Sequence, residues 1–141
     1  MSYLCFMKHL CYSSTPLSSI GDDELIHIVS HMFEFCEKHL GVNNRYKTFP
    51  LVQFSDINEK GNYAEYDPYK NVIRIFKTIK TLGQFTSTFI HEYTHYLQPC
   101  KTKYNKLMKE HGYEFHPFES EARMHEYLYN RKLLSYLRKN V

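Results

Sequence analysis

The sequence has no tryptophan, only five glycines, five prolines and four cysteines, and no long apolar run. Each shortage narrows what the chain is. With no low-complexity tract, internal repeat or linker, its 141 residues read as a single domain, 1–141, with an uncertain segment over 1–19. No stretch approaches the roughly 20 apolar residues of a membrane-spanning helix. Lys8 and His9 interrupt the first residues, so the apolar centre of a secretory signal is missing. The expectation is a cytoplasmic or otherwise intracellular monomer without membrane contact. Cys5, Cys11, Cys36 and Cys100 form no C-x-x-C pair and are read as reduced thiols, with no role assigned to Cys5 and Cys11. The net charge of +3 is too small to demand a nucleic-acid partner, though it does not exclude one.

What the chain does have is apolar and aromatic content. Hydrophobic residues make up 43%, and 13 tyrosines and 10 phenylalanines carry the aromatic share, enough for a core without disulfides. Helical periodicity runs from Asp22 to Leu40, through Leu25, Ile28, Val29, Met32, Phe33, Cys36 and Leu40. Acidic residues open that helix and Gly41 closes it. Its His27, His31 and His39 are expected on the solvated face.

A strand-rich segment follows. Pro50–Phe54, Asn62–Tyr66 and Val72–Phe76 are predicted strands, and the turn residues from Asp67 to Asn71 join the last two as a hairpin. Three more helices are expected: Leu82–Gln98, opened by the capping-box pair Thr81 and Gln84 and stopped by Pro99; Lys103–Glu110; and Pro117–Arg138. The fold class is therefore α+β, with a mixed sheet of three or four strands.

The helix Leu82–Gln98 carries His91-Glu92-Tyr93-Thr94-His95, the pattern His-Glu-x-x-His. Residues four apart on a helix sit one above the other, so the two imidazoles aim at one point, as a zinc ion requires. Glu92 is turned by about 100° and reaches a metal-bound water without binding the metal. On the helical wheel both histidines fall on the polar side, away from the Ile90–Tyr93–Leu97 and Phe85–Phe89–Tyr96 stripes.

Catalytic zinc takes a third protein ligand. The extended pattern that ends in a third histidine is absent, because Gln98 and Lys101 stand at its glycine and histidine positions. His111, His116, Glu119 and Glu121 remain. Glu121 sits among the apolar residues Phe118, Met124 and Leu128 on the wheel, while Glu119 points some 160° away with Glu126 and Asn130. A core-facing carboxylate needs a partner, and a metal is one, so Glu121 is the preferred ligand.

With these residues the chain resembles the small zincin metallopeptidases of the gluzincin type, close in size to the minigluzincins. The resemblance spans roughly Asn62 to Tyr129. It implies a zincin-like fold, one catalytic Zn²⁺ on His91, His95 and a glutamate from a later helix, here Glu121 followed by the small Ala122, and Glu92 as general base. It also implies that the strand before the motif helix, Val72, Ile73, Arg74, Ile75 and Phe76, is the edge along which a peptide or protein substrate lies. One departure stands out: the acidic residue four places after the ligand glutamate, which holds the first histidine, is His125 here.

The implied reaction is zinc-dependent peptide-bond hydrolysis. Tyr113 and His116 are the nearest sequence candidates for donors to the developing oxyanion. Two alternatives stand beside it. One is a DNA-associated zinc protease using Arg131, Lys132, Arg138 and Lys139 against phosphates. The other is a non-catalytic or latent zinc-binding module.

Overall fold

The computed structural model describes residues 12–46, 48–56, 60–99 and 101–141. Cys5, Cys11 and Cys100 lie outside the described residues, while Cys36 is a free thiol in the core.

Helix α1, Asp22–Leu40, begins with three acidic residues at its positive end and stops at Gly41, whose φ of 91° suits glycine. It buries Ile28, Met32, Phe35 and Cys36, with Leu25, Val29, Phe33 and Leu40 packed alongside. The expected stripe is therefore the real one, extended by Phe35.

Strands β1, Leu51–Ser55, β2, Ala64–Asp67, and β3, Val72–Phe76, form one mixed sheet in the order β1-β3-β2. β1 runs parallel to β3, with Leu51 opposite Val72, and β2 runs antiparallel, with Ala64 opposite Ile75. The β2–β3 turn is built as its composition implies. Asp67 Oδ1 accepts the backbone N–H of Tyr69 and of Lys70, and Asn71 takes the left-handed φ of 53°. Arg74 then ties the pair across its outer face through Glu65 at 3.1 Å and Asp67 at 2.9 Å.

The sheet corrects one expectation. β3 is the central strand and not an edge, because both of its neighbours are occupied. Val72, Ile73, Ile75 and Phe76 are all buried, as a nearly continuous apolar run demands of a central strand. The edges are β1 and β2.

Helix α2, Leu82–Leu97, carries the motif and lies between the sheet and the last helix. Its capping box is complete: Thr81 Oγ1 accepts from Gln84 N, and Gln84 Oε1 accepts from Thr81 N. Its other end is held by the α1–β1 connection. Asn43 Nδ2 donates to the Tyr96 carbonyl at 2.7 Å and Arg45 Nη2 donates to that of Gln98, satisfying carbonyls that a helix end leaves open. Phe85, Phe89, Ile90 and Tyr93 form the centre of the core, where Phe89 meets Phe33 ring to ring at 5.0 Å.

Helix α3, Lys101–His111, buries no residue and ends at Gly112 with φ 73°. Helix α4, Pro117–Asn140, packs antiparallel on α2, with Thr86 near its C-terminal half and Gln98 near its start. Leu133, Leu134 and Leu137 seal the far end of that seam against the core. Among the described residues no helix is long and apolar enough to cross a membrane.

Candidate metal centre

The near half of the α2–α4 seam is polar. Thr86 Oγ1 donates to Asn130 Oδ1 at 2.6 Å, Ser87 Oγ to Glu126 Oε1 at 3.0 Å, and Thr94 Oγ1 meets His125 Nδ1 at 2.9 Å. In this setting the two motif histidines face one carboxylate. His91 Nε2 lies 3.0 Å from Glu119 Oε2, and His95 Nε2 lies 3.1 Å from Glu119 Oε1. Glu119 is buried and both rings are largely covered.

The Nδ1 atoms are held from behind. His91 Nδ1 is 3.1 Å from Glu126 Oε2, and His95 Nδ1 is 2.7 Å from Gln98 Oε1. The Gln98 amide is itself oriented, since its Nε2 donates to the Phe118 carbonyl at 2.9 Å and to Glu121 Oε1 at 3.2 Å. Both rings thus meet acceptors at Nδ1, where their hydrogens belong, and present lone pairs at Nε2. Two nitrogen lone pairs and a carboxylate then converge with no hydrogen between them. Such a set needs a positive charge at its centre, supplied either by extra protons or by a metal ion.

Without an ion, protons take that place. Burial depresses the His91 pKa, but hydrogen bonds to Glu119 and Glu126 outweigh it and raise the ring to about 10. His95 follows in the same direction: burial opposes, and Glu119 and Glu92 prevail. Glu119 is raised by burial and lowered further by both rings, ending well below the usual carboxylate range.

A metal ion fits the same space. The ligand atoms of His91, His95 and Glu119 all lie within 4.8 Å of one another. Two atoms bound at about 2.0–2.2 Å to a tetrahedral ion stand roughly 3.2–3.6 Å apart, so only small adjustments close the set. Outer partners of both histidines are already in place.

This geometry revises the third-ligand assignment. Glu119 meets the histidines, whereas Glu121 is exposed and, among the described residues, accepts only from Gln98. The wheel misled because Met124, Tyr127 and Leu128, apolar by type, stand 58%, 88% and 48% exposed, so the stripe around Glu121 is not the one α4 buries. The buried stripe is Glu119, Ala122 and the leucines, with Glu126 and Asn130 on the same side. His111 is exposed at the end of α3. His125 does not hold the first histidine; Glu126 does, one residue further on.

His116 is also reassigned. It is fully buried and caps α4, its Nδ1 accepting from Phe118 N at 3.0 Å while its Nε2 donates to the Tyr104 carbonyl at 2.8 Å. Both nitrogens are used, which leaves none for a substrate oxygen. Tyr113 does line the cleft, with Arg123 stacked over its ring. Burial and then the nearby Glu119 raise its hydroxyl pKa, so it remains a protonated donor.

Glu92 is 7% exposed and lines the same cleft, yet makes no hydrogen bond or ion pair with the described residues. Burial pushes its carboxyl above the usual range; the His95 and His91 rings pull against this, and Glu119 and Glu126 add to it. An unengaged buried carboxylate beside two metal-type histidines is a group with a proton to trade. Tyr104 went unnoticed in the sequence. Its hydroxyl donates to Glu119 Oε1 at 2.8 Å, and its one signal was being the lone aromatic in the polar helix α3.

The centre forms the floor of a cleft of about 800 Å³. One wall is the β2 side of the sheet, from Asn62 to Tyr66; α3 and the start of α4 make the other. Among the described residues six tyrosines line it, Tyr46, Tyr63, Tyr66, Tyr69, Tyr104 and Tyr113. Lys132 and Arg138, two of the four basic residues near the chain's end, stack on the rings of Tyr129 and Tyr12. No family model, curated protein or solved structure matches the chain.

Proposed function

We propose that the chain is a zinc-dependent endopeptidase of the gluzincin kind, with a zincin-like fold, His91, His95 and Glu119 as metal ligands and Glu92 as general base. One observation carries this reading: three lone-pair donors converge on one point at the floor of an open cleft, with an unpaired buried carboxylate next to them. The ligand set of two imidazoles and one carboxylate suits zinc.

Bound zinc would supply Lewis acidity, bringing the pKa of a coordinated water toward neutrality and polarising a scissile carbonyl. Everything else falls to the chain's own groups. Glu92 takes a proton from the attacking water and returns it to the leaving amine, and its raised pKa suits a group that must do both. Tyr113, with its hydroxyl kept protonated, donates to the carbonyl oxygen as charge builds there. Tyr104 and Gln98 fix Glu119 and His95, and Glu126 fixes His91. The substrate strand adds to the outer edge of β2, because β3 has no free side.

The test is Glu92→Gln, which keeps the shape and removes the base. Loss of a general acid–base costs about 10² to 10⁴ in rate, roughly 3 to 5 kcal/mol in the barrier. Cleavage of an unstructured substrate such as casein should fall by that factor while zinc content stays equal to that of the unsubstituted chain. Equal cleavage by both forms would end the catalytic reading. Zinc in both forms with no cleavage of any peptide by either would establish a latent or purely binding module instead.

A further inference from the structure

Away from the cleft, helix α1 carries a second pair of histidines at the same spacing. His27 Nε2 and His31 Nε2 lie 3.3 Å apart, and their rings stand 4.7 Å apart, nearly perpendicular at 86°. The cleft pair His91 and His95 has its rings 4.9 Å apart at 71°. The two pairs share nearly the same ring separation and the same edge-on arrangement.

The 3.3 Å separation has a chemical meaning. Two imidazole nitrogens bound at about 2.0–2.1 Å to one tetrahedral ion stand roughly 3.3 Å apart. The second ring is also oriented. His31 Nδ1 lies 3.0 Å from Glu34 Oε2, and the Tyr136 hydroxyl of α4 donates to that same oxygen at 3.0 Å. The carboxylate accepts only, so the His31 hydrogen sits on Nδ1 and its Nε2 offers a lone pair. Without an ion, His27 Nε2–H donates into that lone pair. An ion takes the place of this hydrogen once the His27 hydrogen moves to its other nitrogen.

We propose that His27 and His31 form a second metal site, a two-histidine surface chelate for a late first-row divalent ion, with Glu34 and Tyr136 orienting His31 and water completing the coordination. Imidazole donors suit Zn²⁺, Ni²⁺ and Cu²⁺, and the absence of a carboxylate ligand selects against Mg²⁺ and Ca²⁺. An ion here stabilises the folded chain by mass action, and Glu34, tied to Tyr136, holds His31 in the orientation that binds it. The inference stands apart from the proposed activity, since no residue of the cleft takes part.

Ni²⁺ is the probe, since thiols do not reduce it. The full chain carrying His91→Ala/His95→Ala, in which the cleft cannot compete, is titrated by calorimetry and compared with the same chain also carrying His27→Ala/His31→Ala. The expected result is a loss of one Ni²⁺ equivalent in the second form, and a rise in melting temperature on Ni²⁺ addition only in the first. Should the cleft variant fail to fold, the wild-type chain preloaded with one Zn²⁺ replaces it, with His27→Ala/His31→Ala again as comparison. Equal Ni²⁺ uptake with and without the α1 histidines, or no uptake by a chain that retains them, overturns the proposal.

Discussion

Glu126 stands 3.1 Å behind His91, on the side of the ring opposite Glu119. The same carboxylate accepts from the Ser87 hydroxyl through its other oxygen. It is thereby fixed, and it fixes which nitrogen of His91 carries the hydrogen. Glu126→Ala should lower zinc affinity by about 10- to 100-fold while leaving the number of ions per chain unchanged. Competition titration against a chromophoric chelator measures this. An unchanged affinity would remove Glu126 from the centre.

Glu119 and Glu121 separate cleanly. Glu119→Ala removes a ligand atom, so its zinc affinity should fall by more than the roughly 100-fold upper range for outer partners. Glu121→Ala loses only the contact to Gln98 and should cost tenfold or less, by about the same rule. Elemental analysis after dialysis distinguishes the two. Zinc retained by Glu119→Ala and lost by Glu121→Ala would restore the sequence-based assignment.

The ion-free protein should lose stability as pH rises. His91 is raised in the folded state from 6.5 to about 10, so the stabilisation it contributes is complete below pH 6.5 and disappears as pH climbs through about 10. Glu119 is lowered, so its share is present above the ordinary carboxylate pKa of 4.5 and lost as pH falls below that. Melting temperature in chelator should therefore decline from pH 6.5 to pH 10. Zinc should reverse the trend, because the ion binds the deprotonated rings. A flat profile in chelator would contradict the proton-filled centre.

Chelation itself should leave the fold standing. The core of Phe85, Phe89, Ile90, Tyr93, Ile73 and Leu133 is built without the centre. Helical circular dichroism should persist in chelator, with a lower melting temperature and no collapse. Phe89→Ala, in contrast, opens a cavity at a fully buried site and should cost about 3–5 kcal/mol in denaturant titration. Loss of helical signal on chelation alone would show that the ion is needed for folding.

Local pattern is what the sequence reads well. Hydrophobic period placed α1 and α2, turn chemistry placed the β2–β3 hairpin, and spacing alone put His91 and His95 on one face with Glu92 beside them. These follow from backbone geometry within a few residues. Cap chemistry was equally legible at Thr81 and Gln84.

Two decisions belonged to the tertiary structure. The first was which strand sits in the middle: Val72–Phe76 reads as a good strand, but its place between β1 and β2 depends on a parallel pairing with residues some twenty positions earlier. The second was which face of α4 meets α2. Glu119 and Glu121 are two residues apart and so point to nearly opposite sides, and the helix places apolar side chains on both. The polar partners waiting on α2, Thr86, Ser87 and His91, drew the Glu119–Glu126–Asn130 side inward and left Met124, Tyr127 and Leu128 in solvent. A buried polar seam outweighed an apolar stripe because Glu119, Glu126 and Asn130 find hydrogen-bond partners on α2 when they face it. That mutual requirement spans two helices, so neither helix states it alone.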